Sequence, residues 1–243
     1  DMNLLSALEF AVEALRVRLL IRLGKSQEAL EVVASTLEDH PQAGDLLALH
    51  ARLTWAAGRE RTACEEAALA IGFLDDRGEV ADLRVPRRAY LARALIACGR
   101  YGDAQTVLGG LGALVTPPGA PPLEPMVRAA SAELALAQGR LIEAAALAAG
   151  ENMETAPAPW GETLRGIAVR SRARAGLAVD VQELLTRAPA SHPFALVDRA
   201  LALAAVAAAP RSPRGVPLTP QPFERLSRAL LDRGFKVRGV RAA

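Results

Sequence analysis

The stretch Gly24-Lys25-Ser26-Gln27-Glu28-Ala29-Leu30-Glu31-Val32-Val33, followed by Pro41, decides how this chain is interpreted. The segment before it has the apolar spacing of an amphipathic helix, and Gly24 can adopt the positive φ that ends such a helix. Helical spacing resumes after Gly24, with a small side chain at Ala29. The stretch therefore predicts two helices joined by a tight turn, of which the second ends near Pro41.

The same pattern recurs along the chain, each time around a glycine between two helical segments. These glycines are Gly24, Gly58, Gly99, Gly139 and Gly176. They are separated by 34, 41, 40 and 37 residues, which indicates a repeat of about 34 residues with insertions. The insertions lie near residues 72–85, 112–124 and 150–160, and their glycines, prolines and charged residues are typical of connecting loops.

Small or compact side chains occupy two fixed positions in each repeat. The fifth residue after the glycine is Ala29, Ala63, Ala104, Ala144 or Val181, and the seventh before it is Val17, Ala51, Ala92, Ala132 or Val169. Small residues on both helices allow the two axes to approach closely. We therefore expect these residues to be buried where the helices of one hairpin cross.

Two stretches, Gly24 to Val33 and Gly99-Arg100-Tyr101-Gly102-Asp103-Ala104, resemble the second-helix signature of the tetratricopeptide repeat. Pro193 lies where that family places its terminating proline. The resemblance covers residues 6–195, about five repeats, and implies an all-α fold: a right-handed α-solenoid of antiparallel helical hairpins. The chain departs from the family in lacking the large aromatic residue early in the first helix, and in carrying Glu151 at a normally small position.

The sequence divides into three predicted parts. Residues 1–209 form the helical repeat array, residues 210–222 form a proline-rich connection, and residues 223–243 form a capping helix with a basic tail. A cap is expected because the terminal repeat of such an array has to cover an exposed core. Because the sequence begins with Asp1 rather than Met, we also expect either a fragment of a longer chain or a processed one.

Composition agrees with an all-α class, since 51% of residues are hydrophobic but only 4% are aromatic. The net charge of +2 lacks the strong basic excess of a typical nucleic-acid binder. No stretch of about 18 apolar residues is present, so we expect no membrane partner. Cys64 and Cys98 have no C-x-x-C spacing, so we expect neither a disulfide scaffold nor a zinc site, and we predict a cytoplasmic protein.

The sequence points to no enzyme, metal or cofactor. It contains no phosphate-binding G-x-x-x-x-G-K-[ST] loop, and the glycine cluster at 109–112 lacks a lysine and reads as a turn. His40, His50 and His192 are far apart, and His50 is expected to be a hydrogen-bonded imidazole on the packing side of its helix. The pair Glu65-Glu66 is expected on a solvated face. We therefore predict no catalytic residues.

One charged residue lies six positions before each repeat glycine, and we call these five residues the ladder. Its members are Arg18, Arg52, Arg93, Glu133 and Arg170. The resemblance implies that first helices line a concave groove and that this position faces it, with Arg22, Trp55 and Tyr90 beside the ladder. Guanidinium groups bind carboxylates through charge-assisted hydrogen bonds, so we predict a groove that binds an acidic segment of another protein. In an arginine-rich chain, the same ladder could instead serve as solvated ion pairs within helices.

The favoured function is a protein-interaction scaffold, the repeat region of a larger bacterial regulatory protein. One alternative is a helical repeat that binds nucleic acid along the arginines, but the chain lacks the paired base-reading residues that such repeats need. Another alternative is a helical enzyme whose site lies in loops, around Trp160 and residues 151–159.

Overall fold

The structure is a computed structural model, and it describes residues 4–73, 81–111, 124–149, 156, 159–179, 192–208 and 228. All regular structure in these ranges is α-helical, which confirms the predicted all-α class. Ten helices have described bounds, namely α1 Leu4–Arg22, α2 Ser26–Asp39, α3 Gly44–Ala56, α4 Glu60–Gly72, α5 Ala81–Ala97, α6 Tyr101–Gly109, α7 Glu124–Ala137, α8 Leu141–Ala148, α9 Trp160–Arg174 and α10 Pro193–Ala207.

Several predictions fall elsewhere in the chain. Those for Glu151, Val181, the connection at 210–222 and the segment 223–243, apart from Arg228, lie outside the described residues. The predicted insertion at 72–85 is partly wrong, because α5 already begins at Ala81. None of the described helices is both long and apolar enough to cross a membrane.

Each of the five repeat glycines adopts the left-handed conformation at the end of a helix, with φ between 70° and 82°. The residue after each glycine donates its backbone N–H to the carbonyl five residues earlier, as Lys25 does to Leu20 and Arg140 to Ala135, both at 2.9 Å. This is the hydrogen bond of a Schellman motif, which satisfies a carbonyl that the helix end would leave unpaired. The predicted hairpins therefore form as α1–α2, α3–α4, α5–α6 and α7–α8.

Small residues at the two fixed positions are buried between the helices. The fully buried ones are Val17, Ala29, Ala51, Ala63, Ala92, Ala104, Ala132 and Ala144. Val169 is half-buried. Because larger side chains would hold the two helices apart, these positions allow the close spacing within a hairpin. The prediction of buried small residues is confirmed for the eight.

Successive hairpins pack against each other in chain order. The second helix of each hairpin packs on the first helix of the next, so that α2 contacts α3, α4 contacts α5, α6 contacts α7 and α8 contacts α9. The first helices also pack on one another, from α3 to α5, α7 and α9. They therefore form a continuous row, and any residue position that repeats on them faces one common side.

The last described helix, α10, is enclosed by the rest of the molecule. It packs on α9, and its Phe194, Leu196 and Val197 share an apolar cluster with Val17 of α1 and Leu53 of α3. Residues 194–200 are all buried. The first half of α10 therefore belongs to the core, whereas the helix is exposed at its end, at Ala207.

A disulfide joins Cys64 of α4 to Cys98, which directly follows α5, with the two Cα atoms 5.5 Å apart. This bond corrects the expectation of a chain without disulfides. The spacing of 34 residues equals one repeat, so residues distant in sequence meet between consecutive hairpins. Disulfides persist mainly in oxidising compartments, so cysteine usage no longer argues for a cytoplasmic protein.

Candidate partner-binding site

The charged ladder comes together on one side of the first helices. Its members in α3, α5, α7 and α9 are close enough to interact electrostatically, and they are Arg52, Arg93, Glu133 and Arg170. We call the side of the row that carries these four residues the inner surface. Arg18 is half-buried, and the side chain of Arg22 lies outside the described part of the chain.

Arg93 lies at the centre of the inner surface, where two carboxylates bind its guanidinium group. Its Nη2 donates to both oxygens of Asp198, at 2.8 and 3.0 Å, and its Nε donates to Glu133 Oε2 at 2.5 Å. Thr163 Oγ1 donates to Asp198 Oδ2 at 2.5 Å. Arg93 is only 1% exposed, so these charge-assisted bonds are removed from water, where the loss of one partner is costly.

The opposite charges of Arg93 and its carboxylate partners stabilise one another against the effect of burial. Burial favours the neutral form of Glu133, but the neighbouring guanidinium groups, Arg93 first, outweigh it and lower its pKa to about 2. Burial also opposes the charge on Arg93, yet the carboxylates of Asp198 and Glu133 raise its pKa above the ordinary value. Glu133 and Arg93 are therefore both ionised at neutral pH.

Arg52 is buried in a different way, because aromatic rings rather than carboxylates cover it. Its guanidinium carbon lies 4.7 Å from the centre of the Trp55 ring and 5.2 Å from that of Phe194. Its Nε has no hydrogen-bond partner among the residues that the structure describes. Burial, together with the charge of Arg93, lowers the pKa of Arg52 to about 10. The cation–π contacts with the two rings compensate in part for the loss of hydration of this charge.

Aromatic residues fix the start of α10 against the inner surface. The Tyr90 ring centre lies 5.3 Å from that of Trp160 and 5.8 Å from that of Phe194, within the range of favourable ring contacts. Trp160 begins α9 and is buried, which corrects its predicted placement in a loop. His192 caps α10, since its Nδ1 accepts the backbone N–H of Phe194 at 3.3 Å.

The sequence analysis identified the residues that the first helices contribute to this site and missed those that α10 contributes. It placed Arg52, Arg93 and Arg170 on one surface, as the structure does, but it expected that surface to face solvent, whereas α10 covers it. Phe194 and Asp198 were not identified. The available signal was that residues 193–209 contain one aromatic residue and one carboxylate, four positions apart, in an otherwise alanine-rich helix.

Other candidate groups form no site in the parts of the chain with described structure. There, no three His, Cys, Asp or Glu side chains lie close enough together to hold a metal ion. His50 Nδ1 lies 2.9 Å from Glu66 Oε1, but it makes no hydrogen bond to any described residue, so the predicted hydrogen bond of this imidazole is not found at Nδ1. Glu66 does not lie on the predicted solvated face, since its side chain is mostly buried. Gly110 directly follows α6 in a turn, as predicted for the glycine cluster, whereas Gly109 is the last residue of α6 and Gly112 lies outside the described residues.

No protein-family model matches this chain, and no curated protein or solved structure is significantly similar to it. The resemblance to the tetratricopeptide repeat therefore depends on the residues of this chain alone.

Proposed function

We propose that this chain is a tetratricopeptide-like array, a right-handed superhelix that serves as a protein-interaction scaffold within a larger bacterial regulatory protein. Three recurring features support the proposal: the glycine that ends each first helix, the small residues buried in each hairpin, and the packing of each hairpin on the one before it. Arrays of this kind present a long inner surface built from equivalent helices.

The inner surface is proposed to bind an acidic amphipathic helix of the partner. The observation that carries this is the docking of α10, in which Asp198 binds Arg93 while Phe194 contacts Arg52. Residues four positions apart lie on the same face of a helix, about one turn apart. A partner helix with an aromatic residue and a carboxylate at this spacing would reproduce both contacts.

Because α10 occupies the inner surface, the partner helix has to compete with it. A protein whose binding-competent state is a small fraction of the population binds with an affinity reduced by that fraction. A change that weakens the docking of α10 should therefore strengthen partner binding. A partner site elsewhere on the chain would be insensitive to the same change.

The test uses a fluorescein-labelled peptide of residues 192–208 in place of the partner helix. Asp198→Asn in the full chain removes the carboxylate that binds Arg93 and should raise the affinity for the peptide by about tenfold or more. A peptide that itself carries Asp198→Asn should bind about tenfold more weakly. Glu143→Gln, which removes a carboxylate from the exposed ion pair with Arg140, is the matched control.

Equal peptide affinities for the wild-type chain, the Asp198→Asn chain and the control would contradict the proposal. Affinity capture from the native host would then be compared with and without nuclease. Loss of the captured material on nuclease treatment, together with a steep dependence on salt, would favour the alternative of nucleic-acid binding.

A further inference from the structure

Helix α1 carries a row of exposed aliphatic side chains. Val12, Leu15 and Leu19 are 61%, 56% and 48% exposed. Their spacing of three and four residues places them on one face of the helix, and we call this row the α1 stripe. Clustered apolar side chains on a surface are typical of sites that bind another protein. The equivalent positions in the later hairpins show which kind of protein surface packs on the α1 stripe.

The three positions of the α1 stripe recur in every later hairpin, 12, 9 and 5 residues before the repeat glycine. In the second hairpin they are Leu46, Leu49 and Leu53, and all three are buried. The other buried equivalents are Arg87, Ala94, Ala130, Leu134, Leu164, Ile167 and Ser171, while Tyr90 and Val127 are half-buried. The first hairpin is therefore the exception, since the same positions are exposed only there.

The clusters of buried residues show what covers these positions. Leu46, Leu49 and Leu53 share an apolar cluster with Leu30 and Val33 of α2, in the preceding hairpin. Neighbouring positions on α3 belong to a different cluster, which contains residues of α4 and α5. The first cluster also contains residues of α1 and α10, so the face of α3 that corresponds to the α1 stripe lies on the side of α3 that packs on α2 rather than on α4 and α5.

We propose that the α1 stripe is the docking surface for a helical hairpin supplied by a partner protein of the helical-repeat class. The surface continues an interface that the structure contains four times, where α2, α4, α6 and α8 each pack on the next first helix. The partner's hairpin would present aliphatic side chains from its second helix, as α2 presents Leu30 and Val33. The inference is independent of what the inner surface binds.

A second copy of this chain fits the surface less well. The second helices α2, α4, α6 and α8 already have a first helix packed on them, so a second copy has no such face to offer from these helices. It could bind only through another contact, such as the pairing of two α1 helices. We expect the unmodified chain to be monomeric by light scattering.

The experiment supplies the missing hairpin within the full chain. Residues 10–43 span 34 residues, the separation of Gly24 and Gly58, so repeating them in tandem keeps the register and places a copied α2 before the inner copy of α1. Leu15→Glu with Leu19→Glu is then introduced into the inner copy, the outer copy, or the chain without duplication. Thermal unfolding is followed by circular dichroism.

The proposal predicts that the inner double variant lowers the unfolding midpoint by at least about 5 °C, because it places charges in a buried interface. The outer variant and the variant of the unduplicated chain should shift the midpoint by less than about 2 °C. Equal effects in the inner and outer copies would overturn the proposal, as would loss of the helical signal on duplication. A dimer of the unmodified chain that Leu15→Glu with Leu19→Glu dissociates would overturn it in favour of a second copy.

Discussion

Arg93 and Asp198 are 105 residues apart in the chain, and they share two hydrogen bonds in its interior. Neither side chain is more than 1% exposed. The contact joins α5 to α10, and Thr163 of α9 donates to the same carboxylate. Three helices therefore depend on one buried ionic group, which makes it the most sensitive position of the inner surface.

Replacing Arg93 or Arg52 by methionine should affect the free energy of unfolding in different ways. Arg93→Met leaves the carboxylate of Asp198 without its guanidinium partner and leaves Glu133 with only the ion pair to Arg170 at 3.8 Å, and we expect the free energy of unfolding to fall by about 3–5 kcal/mol. Arg52→Met removes a buried cation that pairs directly with no carboxylate in the described ranges, and we expect no change or a rise of about 1 kcal/mol in the free energy of unfolding. Denaturant unfolding at pH 7 measures both, and similar losses for the two variants would contradict this account.

Acid should destabilise the chain through Glu133. Its pKa is lowered from 4.5 to about 2 in the folded state, so its contribution is fully present above pH 4.5 and is lost as the pH falls towards 2. The shift corresponds to a contribution on the order of 3 kcal/mol. The difference in unfolding free energy between the wild-type chain and Glu133→Gln should therefore shrink between pH 4.5 and 2. An unchanged difference across this range would show that Glu133 does not titrate as described.

Reduction of the disulfide should lower the stability of the chain. Closing a loop between residues 34 apart restricts the unfolded chain, which the chain-entropy model values at about 3–4 kcal/mol. Cys64→Ser should lose this stability without reductant, and a reductant should bring the wild-type chain to the same value. The mass of the intact protein under non-reducing conditions reports the bond directly. The pairing would be contradicted if a reductant left the stability of the wild-type chain unchanged and if the intact mass included the hydrogens of two free thiols.

Two glycines form a matched pair for testing the turn. An added Cβ would have open space at both Gly139 and Gly102, but only Gly139 has a positive φ, of 78°. Gly139→Ala should lower the free energy of unfolding by about 1–2 kcal/mol, because the left-handed conformation is strained for alanine. Gly102→Ala, inside α6, should raise it by about 1 kcal/mol. Equal effects of the two changes would show that backbone conformation does not set the turn.

The periodic part of the structure could be predicted from the sequence because each feature recurs at a fixed offset. Ala63 and Ala104 are buried, and Gly58 and Gly99 end their helices, for the same local reasons in each repeat. The place of α10 could not be found in this way, because Asp198 meets Arg93 only once and the contact belongs to no repeat.

Local signals also failed where a residue's environment depends on another hairpin. Cys64 and Cys98 are paired because consecutive hairpins bring them together, although their spacing resembles no known motif. Arg52 was expected in an open groove because the resemblance places its repeat position there, and its burial depends on Phe194, which lies far along the chain. These failures share one cause, since a residue's neighbours in space come from segments that sequence spacing does not connect.

Helical repeat arrays in which each unit touches only its neighbours behave as one-dimensional systems, and they can fray from either end. The enclosed position of α10 changes this expectation, because the helix contacts Arg52 of α3, Arg93 of α5 and Thr163 of α9 together. Breaking any one of these contacts weakens the docking of α10, and the other two contacts depend on that docking. While α10 is docked, the chain from the second hairpin to α10 should consequently melt as one cooperative unit, and the release of α10 should leave each hairpin coupled only to its neighbours.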